Sequence, residues 1–200
     1  MVTIILDFET SGLNAYHDDI IEIGAKIYGQ DIIFETLVQP KSNRALSKKI
    51  TDITGISNKL LREQGKKYLN ACSEFYNWIF ENTKDKESIS IVSHNGDTFD
   101  FIFFKRILID LKGNGTDTTN LPKLYYNDTL PLCKRLYPGR TYYSQPSLAK
   151  TFQILSINAH RAMNDVIVLE QIYTYILSDL SKNLDPINNP NTIRDYIDLI

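Results

Sequence analysis

Two hundred residues (23.0 kDa), 42% hydrophobic with 12 tyrosines and nine phenylalanines, suffice for one well-filled domain, and 23% charged content excludes a disordered or fibrous chain. Twenty-two basic against 24 acidic residues leave a net charge of −2, which excludes nucleic-acid binding through global positive charge but leaves a local patch open. Cys72 and Cys133 stand singly, without a C-x-x-C spacing, so they predict core positions in a reducing compartment rather than a disulfide framework or thiolate zinc site.

The chain opens with Val2 to Phe8, a β-branched, nearly continuous apolar run that predicts a strand buried on both faces. No stretch approaches the ~18 apolar residues of a membrane span. The acids Asp7 and Glu9 follow Val2–Leu6 at once and no basic segment precedes it, unlike a signal peptide. The expected setting is intracellular and soluble, cytoplasmic or nuclear, with no membrane partner. The glycosylation patterns at Asn114 and Asn127 then carry no meaning.

After a polar turn over Thr10 to Asp19, Ile21, Ile23, Ala25 and Ile27 alternate with Glu22, Gly24, Lys26 and Tyr28, the period of a strand. Gly29 and Gln30 mark a hairpin, and Ile32 to Val38 supplies a third strand before Pro40, so the first three strands form an antiparallel meander. Helical spacing of Leu69, Cys72, Phe75, Tyr76, Ile79 and Phe80 predicts an amphipathic helix over Tyr68 to Glu81. Ser88 to Ser93 reads as a strand, and Phe101, Phe104, Leu108 and Leu111 as a helix face. Gly113 to Asn120 is a polar loop, Lys123 to Tyr126 a fifth strand, and Thr129 to Leu136 a short helix. Pro138 to Pro146 reads as a mobile loop carrying Tyr142 and Tyr143. Pro146 opens a helix to about Leu155, and Val166, Leu169, Ile172, Tyr173 and Ile176 line a last, long one. From Asn183 the chain turns rich in Asn and Pro. Residues 1–182 are therefore expected to form the domain and 183–200 a C-terminal tail, in which Ile193, Tyr196, Ile197 and Ile200 could dock as one turn. The whole reads as one α/β domain with a mixed sheet and helices on its faces.

Three clusters carry chemistry. Asp7 and Glu9, two apart on one strand, project from the same face. Two carboxylates so close repel unless a cation lies between them, so they are either half of a site for a hard divalent ion or a solvated strand end. His94-Asn-Gly-Asp-Thr-Phe-Asp100 joins a strand to a helix and places Asp100 in the first turn, where an acid serves as a cap or as a ligand. His160-Arg-Ala-Met-Asn-Asp165 sets a histidine five positions before an acid that begins the last helix; again cap and loop histidine stand beside ligand and proton acceptor. Four acids drawn together without counter-charge would be strongly destabilising, so a pair of bound cations is the economical explanation. Two metals ~3.5–4 Å apart clamp the attacking and leaving oxygens of a phosphodiester.

These residues resemble a known family. Asp7-Phe-Glu9-Thr-Ser-Gly, His94-Asn-x-x-x-Phe-Asp100 and His160-x4-Asp165 are similar to the three motifs of the DnaQ-like DEDDh 3′→5′ exonucleases, and Ile20-Ile-Glu-Ile-Gly24 and Ile53-Thr-Gly-Ile56 match further segments of that family. The form His94-Asn-Gly-Asp-x-Phe-Asp-Phe101 resembles the three-prime repair exonucleases in particular. The resemblance covers residues 1 to about 180. It implies a ribonuclease-H-like, mixed five-stranded sheet, three antiparallel strands followed by parallel ones, flanked by helices. It further implies that Asp7, Glu9, Asp100 and Asp165 hold two Mg²⁺ or Mn²⁺ ions, Asp7 bridging both, and that His160 is the general base. Glu9, Thr10, Leu13, Ile53, His94 and Phe99 fall at its substrate positions, with Leu13, Ile53 and Phe99 packing against the terminal bases and the Thr10 backbone meeting the terminal 3′-hydroxyl. Ordinary core packing is the alternative for these apolar residues.

The implied substrate is single-stranded or 3′-terminal nucleic acid, and the implied products are nucleoside 5′-monophosphates. The resemblance admits a homodimer and a polymerase partner, though no segment announces either. The chain departs from the mammalian three-prime repair enzymes in having no long Pro-rich insertion and no membrane-anchoring tail. Lys134, Arg135, Arg140 and Lys150 form either a basic lip or a solvated face. Two further readings stay open: an oligoribonuclease-like enzyme that trims RNA, and a binding module of the same fold without turnover.

Overall fold

The apolar run at the N-terminus forms strand β1 (Val2–Thr10), which continues through a turn into β2 (Ile20–Ile27) and β3 (Ile33–Leu37) as an antiparallel meander. Strands β4 (Ser88–Ser93) and β5 (Lys123–Asp128) add in parallel on the other side of β1, giving the order β3-β2-β1-β4-β5. The structure is a computed structural model that describes residues 1–42, 44–155 and 160–183. The expected docking of Ile193 to Ile200 lies outside the described residues, as does the tail apart from Asn183.

Central position makes β1 apolar on both faces. Ile4, Leu6 and Phe8 point to a core shared with α3 (Tyr68–Thr83) and α4 (Asp100–Gly113), where Phe75, Phe103 and Phe104 are fully buried. Each such ring contributes about 1.5–3 kcal/mol by leaving water. Ile5 points the other way, to Val92 and to Met163, Val166 and Leu169 of the long helix α7 (Ala162–Asn183). Asp7 and Glu9 continue the Ile5 face, so the same alternation that fills the core delivers both acids to the start of α7.

Two elements between Pro40 and Tyr68 have no counterpart in the sequence reading. Helices α1 (Lys48–Thr54) and α2 (Asn58–Gln64) are seven residues each, too short for apolar periodicity to show. Their signals are local: the Ser47 and Ser57 hydroxyls accept from the Ile50 and Leu60 N–H groups, and Gly55 ends α1 at φ 71°, a left-handed conformation that costs glycine nothing.

The period-two pattern marks β2 as a strand, and every residue of it except Lys26 is buried, because α7 covers the side of Glu22 and Gly24. Helix α5 (Thr129–Leu136) follows β5 directly, with Asp128 as its cap. Helix α6 (Gln145–Thr151) stops short of Leu155 because Gln153 turns left-handed at φ 56°. The segment before it, read as mobile, is anchored: the Tyr143 hydroxyl donates to the Tyr137 carbonyl at 2.7 Å and accepts from the Arg140 N–H at 3.3 Å. Both cysteines are free and buried. Among the described residues no helix is long and apolar enough to cross a membrane.

Candidate active site

Strands β1 and β4 pair only from Val2–Ile89 to Ile5–Val92, after which β1 runs on alone on that side. The edge N–H of Phe8 is thereby freed, and Asp100, the first residue of α4, accepts it through Oδ1 at 3.1 Å. Its other oxygen accepts from the Ser93 hydroxyl at 2.5 Å. Asp100 is therefore buried and rigidly placed beneath Asp7, rather than serving as a solvated cap.

On the other side of β1 the register sets Asp7 opposite Gly24 and Glu9 opposite Glu22, with the pairing shifted by one residue just beyond, between Glu9 and Thr10. Directly paired antiparallel residues share a face, so three acids and one glycine meet the first turn of α7. There Asp165 projects toward the sheet and accepts the His160 N–H through Oδ2 at 2.9 Å. His160 itself adopts φ 69°, unusual for a side-chain-bearing residue, while its ring stays exposed. Ligand atoms of Glu9, His160 and Asp165 lie within 4.8 Å of one another.

The electrostatics follow from this crowding. Burial, then the charges of Asp100, Asp165, Glu9 and Glu22, hold Asp7 well above the usual carboxylate range. Glu9 is pushed up to about 8 by burial and by Asp165, Glu22 and Asp100, with Arg161 opposing. Burial raises Asp100 to about 7 against the hydrogen bonds from Ser93 and Phe8, and raises Asp165 against that from His160. Arg161, the cation beside them, is bound to Glu22. An all-oxygen donor set of repelling carboxylates with a neighbouring imidazole fits hard divalent ions such as Mg²⁺ or Mn²⁺.

Asp7, Glu9 and Asp165 line an open cleft of about 370 Å³, while Asp100 is buried behind them and does not line it. Leu13, Ile50, Ile53 and Phe99 supply the cleft's apolar lining, with Thr10, Thr54, Gln145, Pro146 and His160. Leu13 is 85% exposed and Ile53 42%, which is unlike core packing. Phe99 is half-buried, its ring edge-on to Phe103 at 5.1 Å. The Thr10 hydroxyl is spent on the turn, donating to the Gly12 carbonyl at 2.6 Å.

His94 stands apart from the other expected substrate residues. It does not line the cleft: Nδ1 lies 2.8 Å from the Thr129 hydroxyl, Nε2 lies 2.7 Å from the Tyr143 carbonyl, and burial makes the ring less basic. It ties β4 to the loop before α6. Lys134, Arg135, Arg140 and Lys150 do not line the cleft either. Sequence reasoning missed Gln145, Ile50 and the pair Glu22–Arg161, as well as Asp128, whose carboxylate accepts from the Asn95 and Asp97 N–H groups and holds the turn before Asp100. For Asp128 and Glu22 the available signal was an acid inside or just after an apolar strand.

Comparison with known proteins agrees with this geometry. The exonuclease family model matches residues 4–173. The DNA polymerase III PolC-type of Thermotoga maritima is 31% identical over 199 residues, and that of Bacillus subtilis 30% over 186. These matches cover 98% and 90% of this chain but 13% and 12% of those proteins, so the chain corresponds to a small part of each. Among solved structures, exonuclease I superimposes with a TM-score of 0.74 at 18% identity over 90% of this chain and 42% of its own. The cell-death related nuclease CRN-4 gives 0.67 at 20% over 88% and 64%. The five-stranded sheet is thus a ribonuclease-H-like one, and the chain belongs to the exonuclease family, with the motifs of its DnaQ-like DEDDh members.

Proposed function

We propose that residues 1–182 form a catalytic domain that removes nucleoside 5′-monophosphates one at a time from the 3′ end of single-stranded nucleic acid. The observation that carries this reading is the convergence of Glu9, His160 and Asp165 at the foot of an open cleft whose wall is apolar. Asp7, Glu9, Asp100 and Asp165 would hold a pair of Mg²⁺ or Mn²⁺ ions. Bound there, the ions supply charge stabilisation to the attacking and leaving oxygens of an in-line displacement at phosphorus.

The chain's own residues do the rest. His160, exposed at the rim beside Glu9 and Asp165, accepts the proton of the attacking water. Leu13, Ile53 and Phe99 take the terminal bases against their apolar surfaces; such contacts read no sequence, and a base stacked on an aromatic ring such as that of Phe99 gains about 1–3 kcal/mol. The Thr10 backbone, at the bulge that ends β1, meets the terminal 3′-hydroxyl. His94 acts from outside the cleft, by holding the loop that leads into α6, whose first residues Gln145 and Pro146 line that cleft.

DNA is the favoured substrate and a polymerase the favoured partner, since the chain matches a segment of PolC-type polymerases, and an exonuclease I of the same fold has been solved with an oligodeoxyadenylate. RNA trimming is the competing outcome, and a 5′-labelled DNA and its RNA counterpart decide between them. In Mg²⁺ the DNA is expected to shorten stepwise from its 3′ end, with none of it lost in EDTA or in Asp7→Asn. Shortening of RNA alone would shift the reading to RNA trimming, and an intact pair of substrates would leave a binding module.

A further inference from the structure

Glu22 has no exposed surface and faces Glu9 directly across the ladder, where it would add a further negative charge to an acidic face. Arg161 offsets that charge. Its Nε lies 3.0 and 3.1 Å from the two carboxylate oxygens, and Nη2 lies 2.6 Å from Oε1. Oε2 also accepts the backbone N–H of Ala162 at 2.9 Å. The guanidinium reaches on to within 3.7 Å of Glu35 on β3. One buried carboxylate therefore grips both the side chain of residue 161 and the backbone of residue 162.

The chain on either side of this grip carries the chemistry. His160 immediately precedes Arg161, holds a left-handed φ, and donates its N–H to Asp165. The Asp165 N–H in turn donates to the Arg161 carbonyl at 3.0 Å. Two residues along the same face of β2, Gly24 lets the backbone of Ala162 settle directly onto the strand: a Cβ there would stand 2.6 Å from the Ala162 carbonyl carbon. Neither Glu22 nor Arg161 lines the cleft. Taking an ion pair out of water often costs as much as the pair returns, so stability alone does not account for it. What the ion pair adds is direction, because a planar fork on two oxygens fixes rotation as well as distance.

We infer that Glu22 and Arg161 are positioning residues for the exonuclease reaction: their ion pair, with the Glu22 carboxylate buried, locks the start of α7 onto β2 and thereby aims His160 and Asp165 at the acids of β1. The inference rests on the proposed roles of those two residues. It is tested with Arg161→Ala, Arg161→Lys and Glu22→Gln. Arg161→Ala is expected to lower kcat about 10–100-fold, the usual cost of removing a group that orients others, with KM for the DNA unchanged. Guanidinium ion added at low concentration should restore part of that kcat, and urea, uncharged and of similar shape, should not. Arg161→Lys keeps the charge beside Glu22 but not the fork, so it should show the same split in kcat and KM even where the alanine variant fails to fold. Glu22→Gln keeps the shape but halves the acceptors, and should fall between.

Amide hydrogen exchange provides a readout without metal or substrate: the N–H groups of His160 and Ala162 should exchange faster in Arg161→Ala while β4 amides keep their protection. An unchanged kcat in the lysine and glutamine variants would overturn the inference, as would unchanged protection at His160 and Ala162. So would a loss of kcat that guanidinium does not relieve and that tracks melting temperature alone. Should the wild-type protein hydrolyse neither DNA nor RNA, the proposed function falls, and the exchange measurement still decides whether the pair holds this segment.

Discussion

Replacing Glu9 by Gln should make the metal-free protein more stable at pH 8 and leave it unchanged near pH 4. In the folded chain burial and three neighbouring acids push the Glu9 carboxyl up to about 8, whereas an unfolded chain titrates it near ~4.3. The folded state thus binds more protons than the unfolded one throughout that interval. Its stability is intact below the unfolded value and is lost as the pH climbs toward 8. Full ionisation would cost about 5 kcal/mol at about 1.36 kcal/mol per unit. The carboxylate lies in an open cleft that water enters, so about 2 kcal/mol is the expected net cost. For a chain of this size that is a melting temperature about 4–8 °C higher in Glu9→Gln at pH 8 in EDTA. Thermal melts of both proteins at pH 4 and pH 8, with EDTA and then with Mg²⁺, give the answer. Mg²⁺ should reverse the order, since an ion bound only by the folded state stabilises the wild type and finds one ligand fewer in the variant. A variant no more stable than wild type at pH 8 in EDTA, or one equally stabilised at both pH values, would refute the reasoning.

Three other outcomes follow from the same geometry. His160→Ala should lower kcat about 10²–10⁴-fold while the Mg²⁺-induced rise in melting temperature persists, measured by rapid quench and thermal shift; equal loss of both would make the imidazole a ligand rather than a base. Gly24→Ala should cost about 1–3 kcal/mol, because its methyl group meets backbone atoms of Ala162 and Met163 that no side-chain rotation can move; denaturant melts measure the cost. Leu13→Ala removes an apolar side chain that is 85% exposed, so it should leave stability unchanged and raise KM about five- to tenfold for every DNA sequence alike, as loss of about 1–1.5 kcal/mol of sequence-blind apolar contact requires.

What could be read from the sequence divides along physical lines. Helices α3, α4 and α7 were legible because a buried face leaves a helical period in the residues, and β1 because a strand buried on both faces leaves a continuous apolar run. Helices α1 and α2 left neither: seven residues make barely two turns, and they are held by serine caps and by packing of Ile50, Leu60 and Leu61 with Ile21, Leu46 and Ile56 rather than by a long amphipathic stripe. The alternation in β2 was real but its meaning was not recoverable locally. A polar residue facing solvent and one facing the start of a distant helix look the same in a single strand, and Arg161 lies 139 positions from Glu22.

The acids of β1 were legible for a related reason. A strand that must be apolar to sit at the centre of a sheet makes any charge in it conspicuous, so Asp7 and Glu9 stand out against Ile4, Ile5 and Leu6. Their placement depends on register: shifting β1 by one residue would turn both carboxylates into the phenylalanine-lined core and Phe8 toward α7. The Phe8 ring therefore does more than fill space. Buried among Phe75 and Phe103 on one face, it fixes which way its two acidic neighbours point, and its N–H holds Asp100 in reach of them. One residue of the apolar core thereby sets the orientation of three of the four acids, while the fourth, Asp165, depends on the helix that Glu22 and Gly24 seat on the same sheet.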